Sequence, residues 1–439
     1  MVLARTRRSP PMREIPTLAE APALQLMSWL TDPASMLERG RHRLGPVFRL
    51  RIAGWADLVI VADVDLLAAG LADEAGRLET GAANAMMTPL VGERSVFVND
   101  GSSHRSIRRT LAPLFAAEPR RAIEGQLLPI LQQGLRQAID RGSRHLNTED
   151  ILRRAACRAT WQVICGRDVE EAEALAAPLA QALGPLAAIG AFAGKPVRRL
   201  VTRPIWLAVA RLEQAIFDEI DRQASRQVAP GGLIGAVGAS DDLSAAPVRG
   251  WIRDNAISLL AAGGDTTASA GAWVTALCLD PEDPAWASIR RALESDDQAY
   301  LQAAAHEALR LGPVVEVVSR RAVEPFTLGD YSVRAGDLVS PCPYLVHRDP
   351  SIYPDPNLFK PARFLDSMPP PHLYFPFGGG ARRCLGAPLA ISILTTWMRT
   401  LGESELCGQT RTGGLRPRRR NVTLSPRSAG RLRSRPEHT

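Results

Sequence analysis

Lysine and aromatic residues are scarce in this 439-residue sequence. Lysine occurs only at positions 195 and 360, so the net charge of +7 comes from arginine, and aromatic residues make up 5% of the chain. Proteins that bind nucleic acids usually combine a clustered basic face with aromatic side chains that stack on bases. Because no basic run here is interleaved with aromatics, we expect no nucleic acid partner. A small acidic protein fits a basic face better.

Paired cysteines and long apolar segments are absent as well. The six cysteines are scattered without the spacing of a disulfide framework or a zinc site, which favours a reducing cytoplasm. The apolar stretch from Leu24 to Leu30 is far shorter than the roughly 20 residues that a membrane-spanning helix needs. We therefore expect a cytoplasmic protein without a membrane anchor. An organellar presequence is the alternative for the arginine-rich start.

Residues 377–388 place a single cysteine, Cys384, between a glycine-rich loop and a predicted helix. Free backbone N–H groups, the positive end of the helix dipole and the charges of Arg382 and Arg383 would favour a thiolate there. Such a thiolate is a metal ligand or a nucleophile, and a buried free cysteine is the alternative. Glycine at 378–380 lets the backbone adopt positive φ and approach a flat partner closely.

This stretch fits the pattern F-x-x-G-x-R-x-C-x-G and resembles the haem-binding loop of the cytochrome P450 family. Its fixed positions are Phe377, Gly380, Arg382, Cys384 and Gly386. The resemblance implies that the cofactor is haem b (iron protoporphyrin IX) and that Cys384 is the proximal thiolate ligand of its iron. It also implies that Phe377, Gly378 and Arg382 belong to the cofactor-binding residues.

A second motif, Gly263-Gly264-Asp265-Thr266, lies in an apolar stretch that predicts a helix over 248–279. Two glycines cost a helix about 1 kcal/mol each relative to alanine, so they require a reason, and room for O₂ and water beside a haem would be one. The motif resembles the distal helix of the same family. That likeness implies that Asp265 and Thr266 deliver protons to bound dioxygen. The alternative is a helix that the glycines make less rigid and that exposes a polar patch to water.

A third motif pairs Glu307 with Arg310, three residues apart, and resembles the family's E-x-x-R sequence. Such a pair stabilises an exposed helix by only ~0.2–0.5 kcal/mol. In relatives, however, it is buried behind the haem loop together with a second arginine, which corresponds to Arg363 here. The resemblance therefore implies a structural network of Glu307, Arg310 and Arg363. It also assigns Arg320, the first residue of an R-x-A sequence, to a haem propionate.

His104 and Arg108 are four residues apart in a segment that resembles the family's C helix, so they share one helix face. The resemblance implies that both bind a haem propionate, whereas on an ordinary helix they would form a solvated basic face. On the proximal side we expect Arg105, Arg109 and Arg383 to face an acidic electron donor.

Other segments predict local structure. Residues 47–52 alternate between apolar and polar side chains, and residues 57–62 follow after a turn that contains Gly54, which predicts a β-hairpin. Asp63 comes next as a candidate helix cap. Residues 81–98 are expected to form a loop over the substrate pocket. Glycines and prolines between 184 and 204 predict helix breaks where the family's mobile lid would fall. Residues 415–433 are expected to form a closing hairpin. Glu316 lies in an apolar stretch and either faces away from the pocket or binds a polar group.

Together the motifs predict a mainly α protein with a small β-rich region, in the cytochrome P450 fold. We expect an irregular N-terminal segment over 1–30, a single haem-thiolate monooxygenase domain over 31–433 and a tail over 434–439. The expected reaction inserts one oxygen atom from O₂ into an apolar small-molecule substrate, using electrons from a separate ferredoxin- or flavodoxin-type protein. A monomer and a role in secondary metabolism are also expected. The alternatives are a haem-thiolate peroxygenase or isomerase and a non-enzymatic haem-based sensor.

Overall fold

The computed structural model describes residues 13–69, 76–140, 146–168, 195–278, 284–404, 406–408, 416–420, 423–426 and 431–434. Within these ranges the chain is mainly helical and has small β-sheets, which confirms the predicted fold class. None of the helices in these ranges combines the length and the apolar character that crossing a bilayer requires.

The helices follow one another along the whole described chain. In chain order they are α1 (Pro22–Thr31), α2 (Pro33–Leu44), α3 (Val64–Ala68), α4 (Thr80–Ala83), α5 (Thr88–Val91), α6 (Gly101–Leu111), α7 (Ala117–Asp140), α8 (Thr148–Cys165), α9 (Lys195–Ala224), α10 (Gly232–Gly238), α11 (Ala246–Cys278), α12 (Pro284–Glu294), α13 (Gln298–Leu311), α14 (Pro343–Val346) and α15 (Ala387–Gly402). Short 3₁₀ turns lie at Ala85–Met87, Ala112–Phe115, Pro361–Phe364 and Gly380–Arg382.

The strands are shorter and lie mostly near the two ends of the chain. They are β1 (Arg13–Glu14), β2 (Val47–Leu50), β3 (Leu58–Val61), β4 (Leu78–Glu79), β5 (Leu146–Asn147), β6 (Arg320–Ala322), β7 (Phe326–Leu328), β8 (Tyr331–Val333), β9 (Leu338–Pro341), β10 (Leu406–Gly408), β11 (Pro417–Arg420), β12 (Thr423–Pro426) and β13 (Arg431–Ser434). The sheet orders are β2-β3-β9-β6-β4, β1-β8-β7, β10-β13-β5 and β11-β12.

Helix α11 is the central element of the helical part and carries the second motif. Almost every residue of its C-terminal half is buried, as expected for a helix that protein surrounds on all sides. It packs against α8, α13 and α15. The Trp273 indole donates to the carbonyl of Leu424 at 3.0 Å, and the Trp397 indole donates to Thr275 at 2.9 Å. The core around α11 therefore satisfies these polar groups as it buries them.

The predicted hairpin is confirmed, since β2 and β3 pair antiparallel with Val47 opposite Val61. The carboxylate of Asp63 accepts the Leu66 N–H at 3.0 Å, as expected for a helix cap. The alternating pattern does not mark a solvent face, however, because all of β2 is buried, including Arg49. Arg49 Nη2 donates to Asp337 at 2.8 Å, which satisfies the charge inside the sheet.

Several local predictions differ from the structure. The segment 1–30 is not irregular in its described part, because β1 pairs with β8 and α1 is a helix. The segment 81–98 contains the short helices α4 and α5. Helix α9 continues through Pro204, since a long helix can lose one N–H bond and keep the rest. The remainder of the predicted lid, 184–194, lies outside the described residues.

The closing hairpin is confirmed for β11 and β12, which pair antiparallel with Pro417 opposite Pro426. The rest of the predicted hairpin segment behaves differently, because β13 pairs with β10 and β5 in another sheet. β13 ends at Ser434, one residue inside the predicted tail.

Candidate functional site

The loop that precedes α15 holds Cys384 in an open turn. The Cys384 N–H donates to the carbonyl of Phe377 at 2.9 Å and closes the loop. Gly378 and Gly380 have φ of 68° and 61°, which glycine adopts without strain. A Cβ added at any position of 378–380 would meet no atom within 4 Å. The loop therefore presents bare backbone to which a flat partner can come close.

The thiol of Cys384 is accessible but is not activated by the protein alone. Its side chain is exposed, yet desolvation by the surrounding protein raises the pKa of the thiol. The N–H groups of Gly386 and Ala387 and the charges of Arg108 and Arg383 act in the opposite direction and only reduce this effect. These groups therefore favour a thiolate, as expected, but desolvation has the larger effect. A bound metal ion deprotonates a coordinating thiol outright.

Helix α6 brings His104 and Arg108 towards the Cys384 loop. His104 is buried, and desolvation, followed by the charges of Arg382 and Arg108, lowers its pKa to about 4. The ring is therefore neutral at pH 7 and has one N–H to donate. Arg108 Nη2 donates to the carbonyl of Arg383 at 2.5 Å. The predicted pair thus lies beside the loop rather than on a solvated face.

Arg382 and Arg320 lie in different settings. Arg382 Nη1 donates to the Val96 carbonyl at 2.9 Å, and Nη2 binds the Asn99 carbonyl and the Asp100 carboxylate. Arg382 therefore ties the Cys384 loop to the segment that ends at residue 100. Arg320 lies half-buried in β6, opposite Val339 of β9.

Glu307 and Arg310 form a fully buried ion pair on α13. Arg310 Nε and Nη2 donate to the two carboxylate oxygens at 2.7 and 2.9 Å, and both side chains have 0% exposure. Arg310 Nη1 also donates to the carbonyls of His347 and Pro356, at 2.6 and 2.8 Å. Arg363 Nε donates to Glu307 at 3.3 Å. This ion pair on α13 thus holds the irregular chain between residues 347 and 363 in place.

The distal motif on α11 is arranged differently from the expectation. The buried carboxylate of Asp265 accepts a bond from Arg153 Nε of α8 at 2.8 Å. Desolvation lowers the pKa of Arg153, but the contacts with Asp265 and Asp150 more than offset this effect, so the pKa is raised overall. The Thr266 hydroxyl donates to the Ala262 carbonyl of its own helix at 2.5 Å. In this state the two side chains that would carry protons are each bound to another group.

The two glycines of this motif face α8. A Cβ on Gly263 would lie 2.6 Å from Thr160 Oγ1, and a Cβ on Gly264 would lie 3.1 Å from Cys157 Sγ. Their absent side chains therefore let α11 and α8 approach each other. Close helix packing, rather than room for O₂, explains both glycines.

Glu316, which the sequence left open, binds a polar group. Its carboxylate pairs with Arg419 of β11, and both side chains are buried. Arg419 also donates to the Trp29 carbonyl at 2.8 Å and lies over the Trp29 ring at 5.0 Å. The pair therefore fastens the closing hairpin to α1.

A surface cleft of about 410 Å³ lies between α6, α10 and α11 and does not contain the predicted site. It is lined on one side by Ser106, Ile107 and Thr110 of α6.

The motifs did not reveal Arg153, Arg419 or Asp100 as partners. Asp100 alone had a signal, because an aspartate just before a helix is a common N-cap. Its carboxylate makes no cap on α6, however, and binds the start of α4 instead. Partners of this kind come from distant parts of the chain and leave no local pattern.

Comparison with known proteins gives one consistent result. A family model described as Cytochrome P450 matches residues 249–401. A Mycobacterium tuberculosis protein provisionally named cytochrome P450 135B1 is 30% identical over 442 residues, which cover 94% of this chain and 89% of that protein. Cytochrome P450 137 of the same species, also provisionally named, is 29% identical and covers 94% and 88%.

Solved structures share the fold at lower identity. The structure described as retinoic acid bound cyanobacterial CYP120A1 has a TM-score of 0.77 at 22% identity and covers 96% of this chain and 100% of its own. The haem domain of cytochrome P450DA has a TM-score of 0.76 at 19% identity and covers 98% and 99%.

Proposed function

We propose that this chain, which belongs to the cytochrome P450 family of haem-thiolate monooxygenases, inserts one oxygen atom from O₂ into an apolar small-molecule substrate with electrons from a separate ferredoxin- or flavodoxin-type protein. The observation that carries the proposal is the accessible Cys384 thiol on a loop of bare glycine backbone. A thiol beside an open, flat surface suits a haem, which needs one axial ligand and room for its ring.

The residues around Cys384 fit this cofactor. Cys384 would hold the iron, and Phe377 and Gly378 would lie beside the ring. His104, Arg108, Arg382 and Arg320 are the donors assigned to the propionates, since carboxylates are bound best by arginine and by N–H groups at short range. When bound, haem supplies the oxidation chemistry, while the protein supplies orientation, protons and the exclusion of water.

Proton delivery is assigned to Thr266 and Asp265. The Thr266 hydroxyl must turn away from the Ala262 carbonyl before it can donate elsewhere. Asp265 must likewise part from Arg153 before its carboxylate can pass a proton to the threonine. The distal helix is therefore ready to act only after two hydrogen bonds have been exchanged.

An apolar substrate is supported by exposed apolar side chains in the segment 81–98, which is expected to cover the pocket, and in the apolar stretch that contains Glu316. Met86 is 66% exposed and Val315 is 37% exposed, and such side chains often mark a binding surface. Val96 of the segment 81–98 is buried in a core cluster, and Val91 of the same segment is fully buried, so both serve packing instead.

Electrons from a separate protein are proposed because no flavin or iron–sulfur motif is present in the sequence. Arg105, Arg109 and Arg383 are exposed and lie on or beside elements that contact the Cys384 loop. An acidic partner would be attracted to such a surface. A cytoplasmic location, a monomeric state, the domain boundaries and a role in secondary metabolism stay predictions.

The deciding experiment is the spectrum of the reduced protein with carbon monoxide. Thiolate ligation by Cys384 predicts a strongly red-shifted Soret band, and Cys384→Ser should lose it. Cys342→Ser changes a fully buried cysteine and is the matched control, which should keep the band. Retention of the band in Cys384→Ser would refute the assignment.

A peroxygenase is the second candidate, because the ion pair of Asp265 with Arg153 leaves the proton relay unassembled. A peroxygenase does not need that relay, since hydrogen peroxide arrives already reduced and protonated. It would form product well with peroxide and poorly with a redox partner, whereas a monooxygenase would do the reverse. A haem-based sensor would form product with neither.

A further inference from the structure

The carboxylate of Asp100 caps helix α4 from outside that helix. Its Oδ1 accepts the N–H groups of Thr80 and Gly81 at 3.1 and 3.0 Å, and its Oδ2 accepts that of Ala82 at 3.0 Å. Glu79, the residue just before the helix, makes no side-chain cap. The first N–H groups of a helix have no partner within it, so this carboxylate supplies what α4 lacks.

The same carboxylate binds Arg382 of the Cys384 loop. Arg382 and Asp100 are mostly buried, with 15% and 21% of their side chains exposed, so water screens the pair only in part. Arg382 also donates to the carbonyls of Val96 and Asn99. All these contacts use the two terminal nitrogens, which leaves the Nε–H for a further acceptor.

The approach of Asp100 to α4 requires a glycine at position 81. A Cβ there would lie 2.5 Å from Asp100 Oδ2 and 2.7 Å from the Val98 backbone, distances that real Cβ atoms do not adopt. The contact is therefore closely packed, and the missing side chain of Gly81 is what admits the carboxylate.

We propose that Asp100 is a positioning residue that couples two properties of the protein. One is the packing of the segment 80–98 next to the Cys384 loop, and the other is the retention of haem. One carboxylate holds α4 in its folded form and also orients Arg382, so weakening one contact disturbs the other. The inference rests on the proposed function in one respect, namely that Arg382 holds a haem propionate. No contact between Asp100 and the cofactor is needed.

The test uses the haem-loaded protein and two independent readouts. The first is the rate of haem transfer to excess apomyoglobin, and the second is amide hydrogen exchange at residues 80–82. In Asp100→Ala we expect exchange at these amides to rise roughly 3- to 30-fold, the range for a lost cap. We expect haem transfer to accelerate about fivefold or more, because a charge-assisted bond to Arg382 is lost.

Two further variants keep the test decisive if Asp100→Ala does not fold. Asp100→Asn keeps one acceptor oxygen and removes the charge, so both rates should rise by less. Gly81→Ala changes neither Arg382 nor Asp100 but displaces the carboxylate, and it should accelerate both processes. Asp296→Asn is the matched control, because Asp296 binds Arg399 on the surface with 73% of its side chain exposed. It should change neither rate.

The proposal is overturned if Gly81→Ala, or a folded Asp100→Ala, changes one rate without the other, or if neither variant changes either rate. This failure is distinct from failure of the proposed function. A wild-type protein that lacks the thiolate band with carbon monoxide would refute haem-thiolate chemistry. A normal wild-type band together with uncoupled variants would refute only the role of Asp100.

Discussion

Removal of one partner from the Glu307–Arg310 pair should severely destabilise the protein. Both side chains have 0% exposure, and Glu307 accepts bonds from Arg310, Arg363 and the Lys360 N–H. Glu307→Gln replaces one carboxylate oxygen by an NH₂ donor that faces arginine donors. Arg310→Leu removes the cation and leaves the Glu307 charge with only Arg363 as a charged partner.

The expected cost follows from the burial of the pair. Leaving one charge of a buried pair uncompensated costs about 3–5 kcal/mol, because the remaining ion is kept out of water without its partner. Most proteins are stable by only about 5–15 kcal/mol in total. Either variant should therefore lose between about a fifth and all of a typical stability, and the chain from 347 to 363 should loosen with it.

The assay compares the urea midpoint and the haem content of purified protein with those of a control. Glu294→Gln is the control, because Glu294 binds Arg290 at 3.4 Å on α12 with side chains 65% and 43% exposed. An exposed helical pair of this kind contributes about 0.3–0.5 kcal/mol, so its loss should hardly move the midpoint. If Glu307→Gln and Arg310→Leu behave like this control, the reasoning from burial is refuted.

The remaining predictions concern the distal helix, the basic surface, pH and helix packing. Thr266→Val should still bind substrate and accept electrons but release hydrogen peroxide instead of product, with a loss of about 10²–10⁴ in product rate; full coupling of electrons to product would exclude the role of Thr266. Arg109→Glu and Arg383→Glu should slow reduction by an acidic electron donor and weaken its salt dependence, since screening acts over about 8 Å at physiological ionic strength; unchanged kinetics would remove both residues from the docking surface. The pKa of His104 is about 4 in the folded chain and 6.5 in its ordinary state, so the unfolded chain binds the proton first and stability should fall by up to about 3 kcal/mol between pH 6.5 and 4. His104→Gln should remove this part of the pH dependence of urea unfolding, the exposed control His42→Gln should keep it, and an unchanged slope in His104→Gln would contradict the assignment. Gly264→Ala should lower the urea midpoint because its Cβ would lie 3.1 Å from Cys157 Sγ, and Cys157→Ala should restore part of the loss; absence of that rescue would show that α8 is not the cause.

The sequence by itself was enough for the fold and the family, and it also led to the prediction that Cys384 is the haem ligand. The Cys384 loop could be recognised because its characteristic residues lie within about ten consecutive positions. Gly378 and Gly380 adopt φ of 68° and 61°, which confirms that these glycines allow a positive φ. The β2–β3 hairpin and the course of α11 follow from the spacing of apolar residues, which is a local property of the chain.

Only the tertiary structure decided which groups hold the remaining charged side chains. Arg153 and Asp265 are 112 positions apart, Glu316 and Arg419 are 103 apart, and Asp100 and Arg382 are 282 apart. It also decided that the glycines of α11 serve contact with α8 and that desolvation raises the pKa of the Cys384 thiol. A sequence motif consists of residues that are close together along the chain. Burial and ion pairing depend instead on which distant segments the fold brings into contact.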